Sequence, residues 1–348
     1  MRIREALLND NHELQALQAR CPQGTTLVVS TVNRPDFFAR VKAYETSRVL
    51  VACEDDRIIG SAACALRKAD VNDQPALVGY LFQAFVAPEQ RRKGVASQLL
   101  RERENYLAAQ GVDLIYTLIM DGNIPSMKYV ETQGYELKRS AVMPGLAVKQ
   151  EMEVPPVGTI RPANVSDLEA VSELMNDTWE GSQLYEPVSS TSLDGFIART
   201  PAFSVDNLLI LEVDGTIQSC LGFWDWSQVM EVKVLALSWR MKLTGWLLVT
   251  GRVLPNFPGA GDILNQMMLT TIGFTEPHHL APLVRRVNNL ALDRGIQQIF
   301  CICERDHAFL KSTRGFTKVD TTIHVYIKSL NPALQFGQQP VYVDGIDM

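Results

Sequence analysis

The chain has 348 residues, of which 46% are hydrophobic and 21% are charged, and its formal net charge is −6. This length suits two domains of ordinary size, and the composition is typical of a folded protein, which excludes a disordered chain. The acidic balance argues against a nucleic-acid partner, which needs concentrated lysine and arginine. The apolar runs are too short to cross a bilayer, so neither a membrane partner nor a signal peptide is expected.

The spacing of hydrophobic residues and the positions of turn residues predict strands and helices in the first half. Alternation over residues 2–7 predicts a strand, and Asn9 or Asp10 can cap a helix that reaches about Arg20. The polar pair Asp55-Asp56 predicts a hairpin turn. The other elements predicted here are helices at Pro35–Thr46, 95–110 and 124–133, strands at Arg48–Cys53, Arg57–Leu66, Leu77–Val86 and Val112–Met120, and strand-like stretches up to about Val148.

A polar segment with a Pro-Pro pair, residues 149–158, is the best candidate linker. After it the order of elements restarts, and Asp214-Gly215 predicts a second hairpin. This restart favours an internal duplication of one α/β unit. The other elements predicted here are helices at 167–179, 193–199 and 279–294, strands at 207–213, 216–226, 265–274, 296–303 and 322–327, and a short helix that ends at Gly315.

The order of elements predicts a mixed α/β fold with two tandem domains, residues 1–150 and 157–330. Residues 331–348 have no periodicity and are predicted to form an extended tail along the surface. Cys301 and Cys303 lie on one face of a predicted strand and are interpreted as core thiols, because no second Cys or His pair has the spacing of a metal site. The sequence thus predicts a reduced, cytoplasmic protein without a bound metal.

The stretch with the clearest chemical signal is residues 86–100, Val-Ala-Pro-Glu-Gln-Arg-Arg-Lys-Gly-Val-Ala-Ser-Gln-Leu-Leu. A buried strand ends here, a basic loop closes at Gly94, and a helix begins near Val95. Unpaired N–H groups and the helix dipole favour an anion at such a helix start. Gly94 lets the backbone approach a phosphate, and Ala96 is too small to obstruct it. On spacing alone, a turn with solvated basic residues explains the stretch equally well.

The run Arg91-Arg92-Lys93-Gly94-Val95-Ala96 resembles the acetyl-CoA signature of the GNAT superfamily of N-acetyltransferases, Arg/Gln-x-x-Gly-x-Gly/Ala. Residues 123–135 resemble a later helix of that family, with Asn123 first, Ser126 three residues on and Gly134-Tyr135 at the end. The resemblance covers about residues 1–148. It implies two tandem GNAT-like domains, each a twisted mixed, mostly antiparallel sheet flanked by helices, with a degenerate second domain.

The resemblance also implies acetyl-CoA as co-substrate and a role for each matching residue. Backbone amides of Arg92–Ser97 would hold the pyrophosphate, and backbone groups of Phe85 and Val86 would pair with the pantetheine arm like an added strand. Asn123 would hydrogen-bond the coenzyme near its pantetheine portion. The implied coenzyme-binding residues are Phe85, Val86, Arg91, Arg92, Lys93, Gly94, Val95, Ala96, Ser97, Asn123 and Ser126.

The usual catalytic acid and base of the family have no match in this chain. Many members carry a Tyr seven residues after the Asn, where this chain has Val130, and often a Glu on the strand before the loop, where it has Gln83. Tyr129 and Tyr80 are the candidate catalytic residues, although Tyr129 is at least as well explained as a core residue. A water relay or Glu45 is a further option.

The second half lacks the basic glycine loop, because prolines replace flexible positions in the corresponding residues 274–286. It is interpreted as a degenerate domain that shapes the substrate site or an interface. His278-His279 is interpreted as a helix-entry feature rather than a metal or catalytic pair, and Phe223–Trp226 as packing. Gly259-Ala-Gly261 is a weak phosphate signal, since no Lys-Ser/Thr follows it.

The leading hypothesis is an acetyl-CoA-dependent N-acetyltransferase, in which a small-molecule, peptide or protein amine attacks the thioester directly in a ternary complex. The alternative is a non-catalytic acyl-CoA-binding sensor or regulatory module, which the missing Tyr and Glu favour. Transferases that use aminoacyl-tRNA also have duplicated GNAT-like domains, but they need a basic groove, and the acidic charge argues against one here. A homodimer is left open.

Overall fold

The computed structural model describes residues 1–250 and 257–347, which form strands and helices. The first half contains strands β1 Arg2–Glu5, β2 Leu27–Asn33, β3 Thr46–Glu54, β4 Arg57–Val71, β5 Gln74–Val86, β6 Leu114–Met120 and β7 Glu136–Ala147, with helices α1 Asn11–Ala19, α2 Val95–Ala109 and α3 Ile124–Thr132. The second half contains strands β8 Thr159–Pro162, β9 Leu208–Val213, β10 Thr216–Asp225, β11 Met230–Leu237, β12 Gln266–Phe274, β13 Gln298–Phe300 and β14 Lys318–Ser329, with helices α4 Leu168–Trp179, α5 Ser190–Arg199, α6 Trp239–Thr250, α7 Pro277–Asp293 and α8 Phe309–Ser312.

The predicted hairpin turns are confirmed, and their backbone explains the residues found there. Asp55 and Asp56, between β3 and β4, have φ angles of 47° and 61°. Asp214 and Gly215, between β9 and β10, have φ angles of 51° and 78°. Two consecutive residues with positive φ give the tight turn that matches the twist of paired strands, and Asp and Gly tolerate this conformation.

Twelve strands form one sheet, in the order β1-β3-β4-β5-β6-β14-β7-β13-β12-β10-β9-β8. The pairs β5–β6 and β12–β13 are parallel, and the other neighbours in this sheet are antiparallel. The predicted mixed α/β fold with a mostly antiparallel sheet is therefore confirmed. From one end of the sheet inwards the strands are β1, β3, β4, β5 and β6, and from the other end they are β8, β9, β10, β12 and β13. Both halves thus follow the chain in the same order, which is consistent with tandem GNAT-like domains. Strands β2 and β11 pair separately as a two-stranded sheet.

At the centre of the sheet, the two halves of the chain exchange their last long strands. β14 lies between β6 and β7, so that Val325 is opposite Leu118 on one side and Arg139 on the other. β7 in turn lies against β13, where Leu146 is opposite Ile299. Each half therefore completes the sheet of the other. The domain division near residue 150 stays a prediction.

Helix α2 packs closely on β4 and β5 because glycines lie beneath it. A Cβ on Gly60 would come within 2.8 Å of Val95 Cγ1, near the start of the helix. A Cβ on Gly79 would come within 2.6 Å of Leu107 Cδ1, near its end. Any larger residue at these positions would push the helix away from the sheet. The two glycines thus set the packing distance between the strands and each end of α2.

The predicted helix at Pro35–Thr46 is wrong. The segment forms only one turn of 3-10 helix, Arg40–Ala43. Burial is not confined to the single stripe of an amphipathic α-helix, since six residues of the segment are buried: Phe37, Ala39, Arg40, Val41, Ala43 and Tyr44. Strands β2 and β11 and helix α6 were not predicted, and the strand expected at 296–303 is limited to β13.

The expectation that residues 331–348 lie along the surface is also wrong for residues 341–347, most of which are buried. Val341, Ile346 and Asp347 are at most 7% exposed. Tyr342 N donates to the Gln183 carbonyl at 2.8 Å, which fixes the segment to the second half. The sequence of this segment has no regular spacing of apolar residues. An irregular segment can be buried without such spacing, so its burial could not be predicted from the sequence.

Candidate active site

The parallel strands β5 and β6 separate part-way along their length. Their pairing runs from Val78 opposite Leu114 to Leu81 opposite Thr117. Thr117 Oγ1 donates a 2.9 Å hydrogen bond to the Leu81 carbonyl at the end of the paired part. Beyond it, within the described residues, β5 keeps β4 as its neighbour and β6 keeps β14. The free edge of β5 can therefore pair with an extended ligand.

A bulge distorts β5 directly after the point of separation. Gln83 has a φ of 48°, and the register between β4 and β5 shifts between Ser61 and Ala63. A positive φ is uncommon for a residue other than glycine, and such strained positions cluster at functional sites. The strain lies two residues before Phe85, within the predicted site.

The connection from β5 to α2 leaves an open space at the helix start. A 3-10 helix at Pro88–Gln90 leads into the turn of residues 91–94. Gly94 has a φ of 84° and directly precedes α2, and a Cβ built on it would meet no atom within 4 Å. No described side chain caps this end of α2. Its first backbone N–H groups are therefore without intrahelical partners, as in an anion site.

Basic side chains accompany this helix start. Arg91, Arg92 and Lys93 are all exposed, and Arg91 Nε donates to the Val86 carbonyl at 3.3 Å. Val95, the first residue of α2, is buried against the sheet. The positive charge of the side chains adds to that of the helix dipole. The predicted loop thus combines open space, unpaired amides and cations in one place.

Helix α3 lies beside the first turn of α2. Tyr129 Oη is 3.5 Å from Ser97 Oγ, and burial raises the pKa of Tyr129. Asn123 is exposed and caps α3, since its Oδ1 accepts from Ser126 N at 3.4 Å. Val130, where the family pattern has its Tyr, is half-buried. Asn123 and Ser126 therefore have a structural role within the chain itself, and their coenzyme contacts stay a prediction.

A buried polar cluster, which the sequence did not predict, surrounds the carboxyl group of Asp347. Tyr44 Oη donates to Asp347 Oδ1 at 2.9 Å, and Arg67 Nη1 donates to Oδ2 at 2.7 Å. Arg40 Nη2 donates to the Asp347 carbonyl at 2.9 Å, and Tyr80 Oη donates to the same carbonyl. We call these five residues the Asp347 cluster. It combines strands β4 and β5 and the 3-10 helix at Arg40–Ala43 of the first half with the last described residue of the chain.

The Asp347 cluster lies at the point where β5 and β6 separate. Tyr80 belongs to the paired part of β5, and its ring stacks on that of Phe82 at 4.9 Å. The Arg40 guanidinium lies 4.9 Å from the centre of the same Phe82 ring and 6.0 Å from that of Trp226. The site is therefore built from both halves of the chain.

Burial controls the protonation of the cluster. It raises the pKa of the Asp347 carboxyl, and the nearby Arg67 guanidinium opposes that shift. Burial also raises the pKa of the Tyr44 and Tyr80 hydroxyls, so both remain hydrogen-bond donors at neutral pH. A carboxyl with a raised pKa is a better proton acceptor than an exposed one once it is ionised.

Several buried polar atoms near the bulge have no partner among the described residues. Gln83 is 7% exposed, and neither its Oε1 nor its Nε2 is hydrogen-bonded. Ser61 Oγ and Arg40 Nε are also unpaired. Leaving such a group unsatisfied costs about 1–3 kcal/mol, so a ligand that supplies partners is favoured.

The second half repeats the bulge but not the loop. Thr271 of β12 has a φ of 49°, matching Gln83 in β5. However, only Thr275 and Glu276 connect β12 to α7, so no room exists for a phosphate-binding turn. His279 lies in the first turn of α7 with its Nδ1 2.8 Å from Thr275 Oγ1, as expected for a helix-entry feature. In the described residues, no group of three or more His, Cys, Asp or Glu is placed to hold a metal.

The structure places the predicted catalytic residues apart from one another. Tyr80 belongs to the Asp347 cluster, whereas Tyr129 contacts the start of α2. Glu45 is exposed and lies outside the cluster's hydrogen bonds. Trp224 and Trp226 are buried, which agrees with their interpretation as packing.

Residues 12–135 match the model of the acetyltransferase (GNAT) family. That range contains the separated strands, the loop, the start of α2 and helix α3. Residues 12–135 are a GNAT acetyltransferase domain. On this match the domain is that of an N-acyltransferase, an enzyme that moves an acyl group from acyl-coenzyme A to an amine. None of the curated proteins is detectably similar to this chain in sequence.

Solved structures similar to this chain extend beyond the GNAT domain. An N-myristoyltransferase of Saccharomyces cerevisiae with bound myristoyl-CoA has a TM-score of 0.67 at 10% identity, covering 98% of this chain and 89% of that one. A probable N-acyltransferase of Enterococcus faecalis V583 has a TM-score of 0.52 at 12% identity, covering 95% and 73%. A GCN5-related glucosamine N-acetyltransferase region of a fungal β-N-acetylglucosaminidase has a TM-score of 0.62 at 12% identity, covering 94% and 38%. At these identities the likeness concerns the fold.

Proposed function

We propose that the protein is an acetyl-CoA-dependent N-acetyltransferase with one active centre, in the GNAT domain. The observation that carries this proposal is the uncapped start of α2 beside Gly94, next to the free edge of β5. The pyrophosphate would lie against the backbone amides of residues 92–97, and Arg91 to Lys93 would screen its charge. Phe85 and Val86 would pair with the pantetheine arm, which directs the thioester towards the Gln83 bulge.

The acceptor amine would react beside the Asp347 cluster. Its nitrogen attacks the thioester carbonyl carbon, a C–N bond forms, and the C–S bond breaks to release the coenzyme thiolate. The amine must lose a proton, and Tyr44 Oη can accept it while passing its own proton to Asp347 Oδ1, 2.9 Å away. The thiolate is a good leaving group and can take a proton from water; Tyr129 stays a candidate acid.

The second half would then shape the acceptor site without binding a coenzyme. Trp226 and Asp347 come from that half and contact residues of the GNAT domain. We therefore propose two tandem units, residues 1–150 and 157–330, of which only the first has a pyrophosphate loop. Six free cysteines fit a reducing compartment such as the cytoplasm.

Calorimetric titration with acetyl-CoA tests the coenzyme site. Gly94→Trp would fill the open space at the helix start and should abolish binding. Gly111→Trp is the matched control, because Gly111 follows the other end of α2 with a φ of 77° and equally open surroundings. Equal loss of binding in both variants, or none in Gly94→Trp, would contradict the proposed cradle.

Release of free thiol in the presence of amines tests the transfer itself. Acetyl-CoA should be turned over with a suitable small-molecule or peptide amine, and myristoyl-CoA should be a poorer donor. Preference for the long acyl chain would overturn the acetyl assignment while leaving acyl transfer intact. Binding without turnover on any amine would instead support the acyl-CoA sensor.

A further inference from the structure

Helix α6 carries an apolar face that is open to solvent. The side chains of Trp239, Leu243, Trp246 and Leu247 are between 50% and 69% exposed. Their spacing of four, seven and eight residues places them on one face of the helix. The opposite side is fixed to the protein, since Gly245 is buried against Phe257. A contiguous exposed apolar patch of this kind marks a contact surface.

Basic residues flank this apolar face. Arg240 and Lys242 are exposed, and at 100° per residue they lie on opposite sides of it. Lys233, on the neighbouring strand β11, is exposed as well. The sequence has no acidic residue between Glu231 and Asp262. A chain with a net charge of −6 therefore has a positive region around its most exposed tryptophans.

We propose that α6 docks the protein on an anionic membrane surface, with its apolar face in the interface and Arg240 and Lys242 at the headgroups. Helices with Trp and Leu on one face and cations beside it bind lipid in this way. No described helix is long and apolar enough to cross a membrane, but a helix lying in the interface needs no such length. This proposal departs from the sequence-based expectation of no membrane partner.

The charges favour a membrane over a second copy of the chain. A symmetric dimer through this face would bring Arg240 and Lys242 of both copies together, and like charges disfavour such a contact. The start of α6 is fixed to the first half of the chain, since Ser238 N, directly before α6, donates to the Thr26 carbonyl at 2.7 Å.

Flotation with lipid vesicles and tryptophan emission test the proposal. The protein should bind vesicles of phosphatidylcholine with phosphatidylserine, less so those of phosphatidylcholine alone, and salt should weaken binding. Emission should shift to shorter wavelength on binding. Trp179, Trp224 and Trp226 are at most 4% exposed, so this shift reports the α6 tryptophans.

Two variants separate the apolar and charged contributions. Trp239→Ala with Trp246→Ala should lower vesicle partitioning at least tenfold. Arg240→Gln with Lys242→Gln should lower it about 25-fold at low salt, since each basic residue contributes about fivefold. The expected outcome includes unchanged acetyl-CoA affinity, because α6 is outside the coenzyme site; this keeps the proposal separate from the proposed function.

The matched control is Leu8→Gln with Val165→Gln, which removes apolar side chains that are 80% and 70% exposed elsewhere on the surface. It should bind vesicles like the wild type. The proposal is overturned if the wild type does not bind anionic vesicles, or if the control lowers binding as much as the tryptophan variant. It is also overturned if the tryptophan variant abolishes a concentration-dependent dimer in sedimentation velocity while vesicle binding is unchanged.

Discussion

At the scale of single residues, Gln83 holds a carboxamide in the interior with both polar atoms unpaired. Such a residue destabilises the unliganded protein, and its two polar atoms can each form a hydrogen bond with a ligand. We expect Gln83→Met, which keeps a similar shape, to raise the free energy of unfolding by about 1–3 kcal/mol. It should also raise the KM for the amine or the Kd of acetyl-CoA. Chemical denaturation and calorimetry measure both effects, and a less stable variant with normal binding would contradict this role.

The raised pKa of the Asp347 carboxyl leads us to expect that the reaction depends on pH. It must be ionised to accept a proton, and burial raises its pKa above the usual 3.9 or so for Asp. The value of kcat/KM should therefore decrease as the pH falls through this raised pKa, at a higher pH than for an exposed carboxyl. Asp347→Asn should lower kcat about 10²–10⁴-fold and remove this acid limb. Acetyl-CoA affinity should be unchanged; a normal pH profile in the variant would exclude Asp347 as the proton acceptor.

The sequence could predict the loop but not the Asp347 cluster, for a physical reason. The loop residues are contiguous, and their chemistry depends on the backbone of one turn and the helix that follows. Arg40, Arg67 and Asp347 are far apart in sequence and meet only through the fold. The wrong prediction of an α-helix at Pro35–Thr46 also gave Arg40 and Tyr44 the wrong local structure, so their positions in the site could not be inferred. Only the buried Gln83 gave a local signal, as a polar residue in an apolar strand.

At the scale of elements, the turn residues and the apolar patterns of the sequence predicted most strands and helices of the GNAT domain. Strand β5, helix α2 and helix α3 were predicted within about three residues, since β5 is a nearly uninterrupted apolar run, α2 has helical periodicity, and α3 is closed by Gly134. Strand β11 and helix α6 were missed. Apolar residues occur on most sides of α6, so its sequence has no clear amphipathic stripe, and the structure alone identifies its exposed face.

Helix α2 should transmit a change in the sheet to the coenzyme site. Gly60→Ala and Gly79→Ala both insert a Cβ under α2, within 2.8 Å of Val95 Cγ1 and 2.6 Å of Leu107 Cδ1. Each should lower the free energy of unfolding by about 1–3 kcal/mol. Only Gly60→Ala should also weaken acetyl-CoA binding, by about tenfold, because Val95 begins the helix whose amides bind the pyrophosphate. Thermal melts and calorimetry test this, and equal effects on binding would show that α2 moves as a rigid body.

At the scale of the whole molecule, the exchange of β7 and β14 joins the two halves more firmly than a linker would. Arg139 on β7 also donates three hydrogen bonds to Glu304 of the second half, with Nη2 at 2.6 Å from Oε1. The sequence predicted two tandem units from repeated order, and it could do so because each unit has its own turn signals. It could not predict the exchange, since β7 and β14 have equivalent patterns and either could pair beside β6.

The exchange predicts that the GNAT domain does not fold well alone. A fragment of residues 1–150 lacks β14, so the edges of β6 and β7 would be exposed, and such edges promote aggregation. We expect this fragment to be insoluble or to bind acetyl-CoA much more weakly than the full chain. Co-expression with residues 151–348 should restore a soluble complex that binds acetyl-CoA normally. In a soluble, monomeric fragment with full affinity, β7 would have to occupy the place of β14 beside β6, and the exchange would then be dispensable for the coenzyme site.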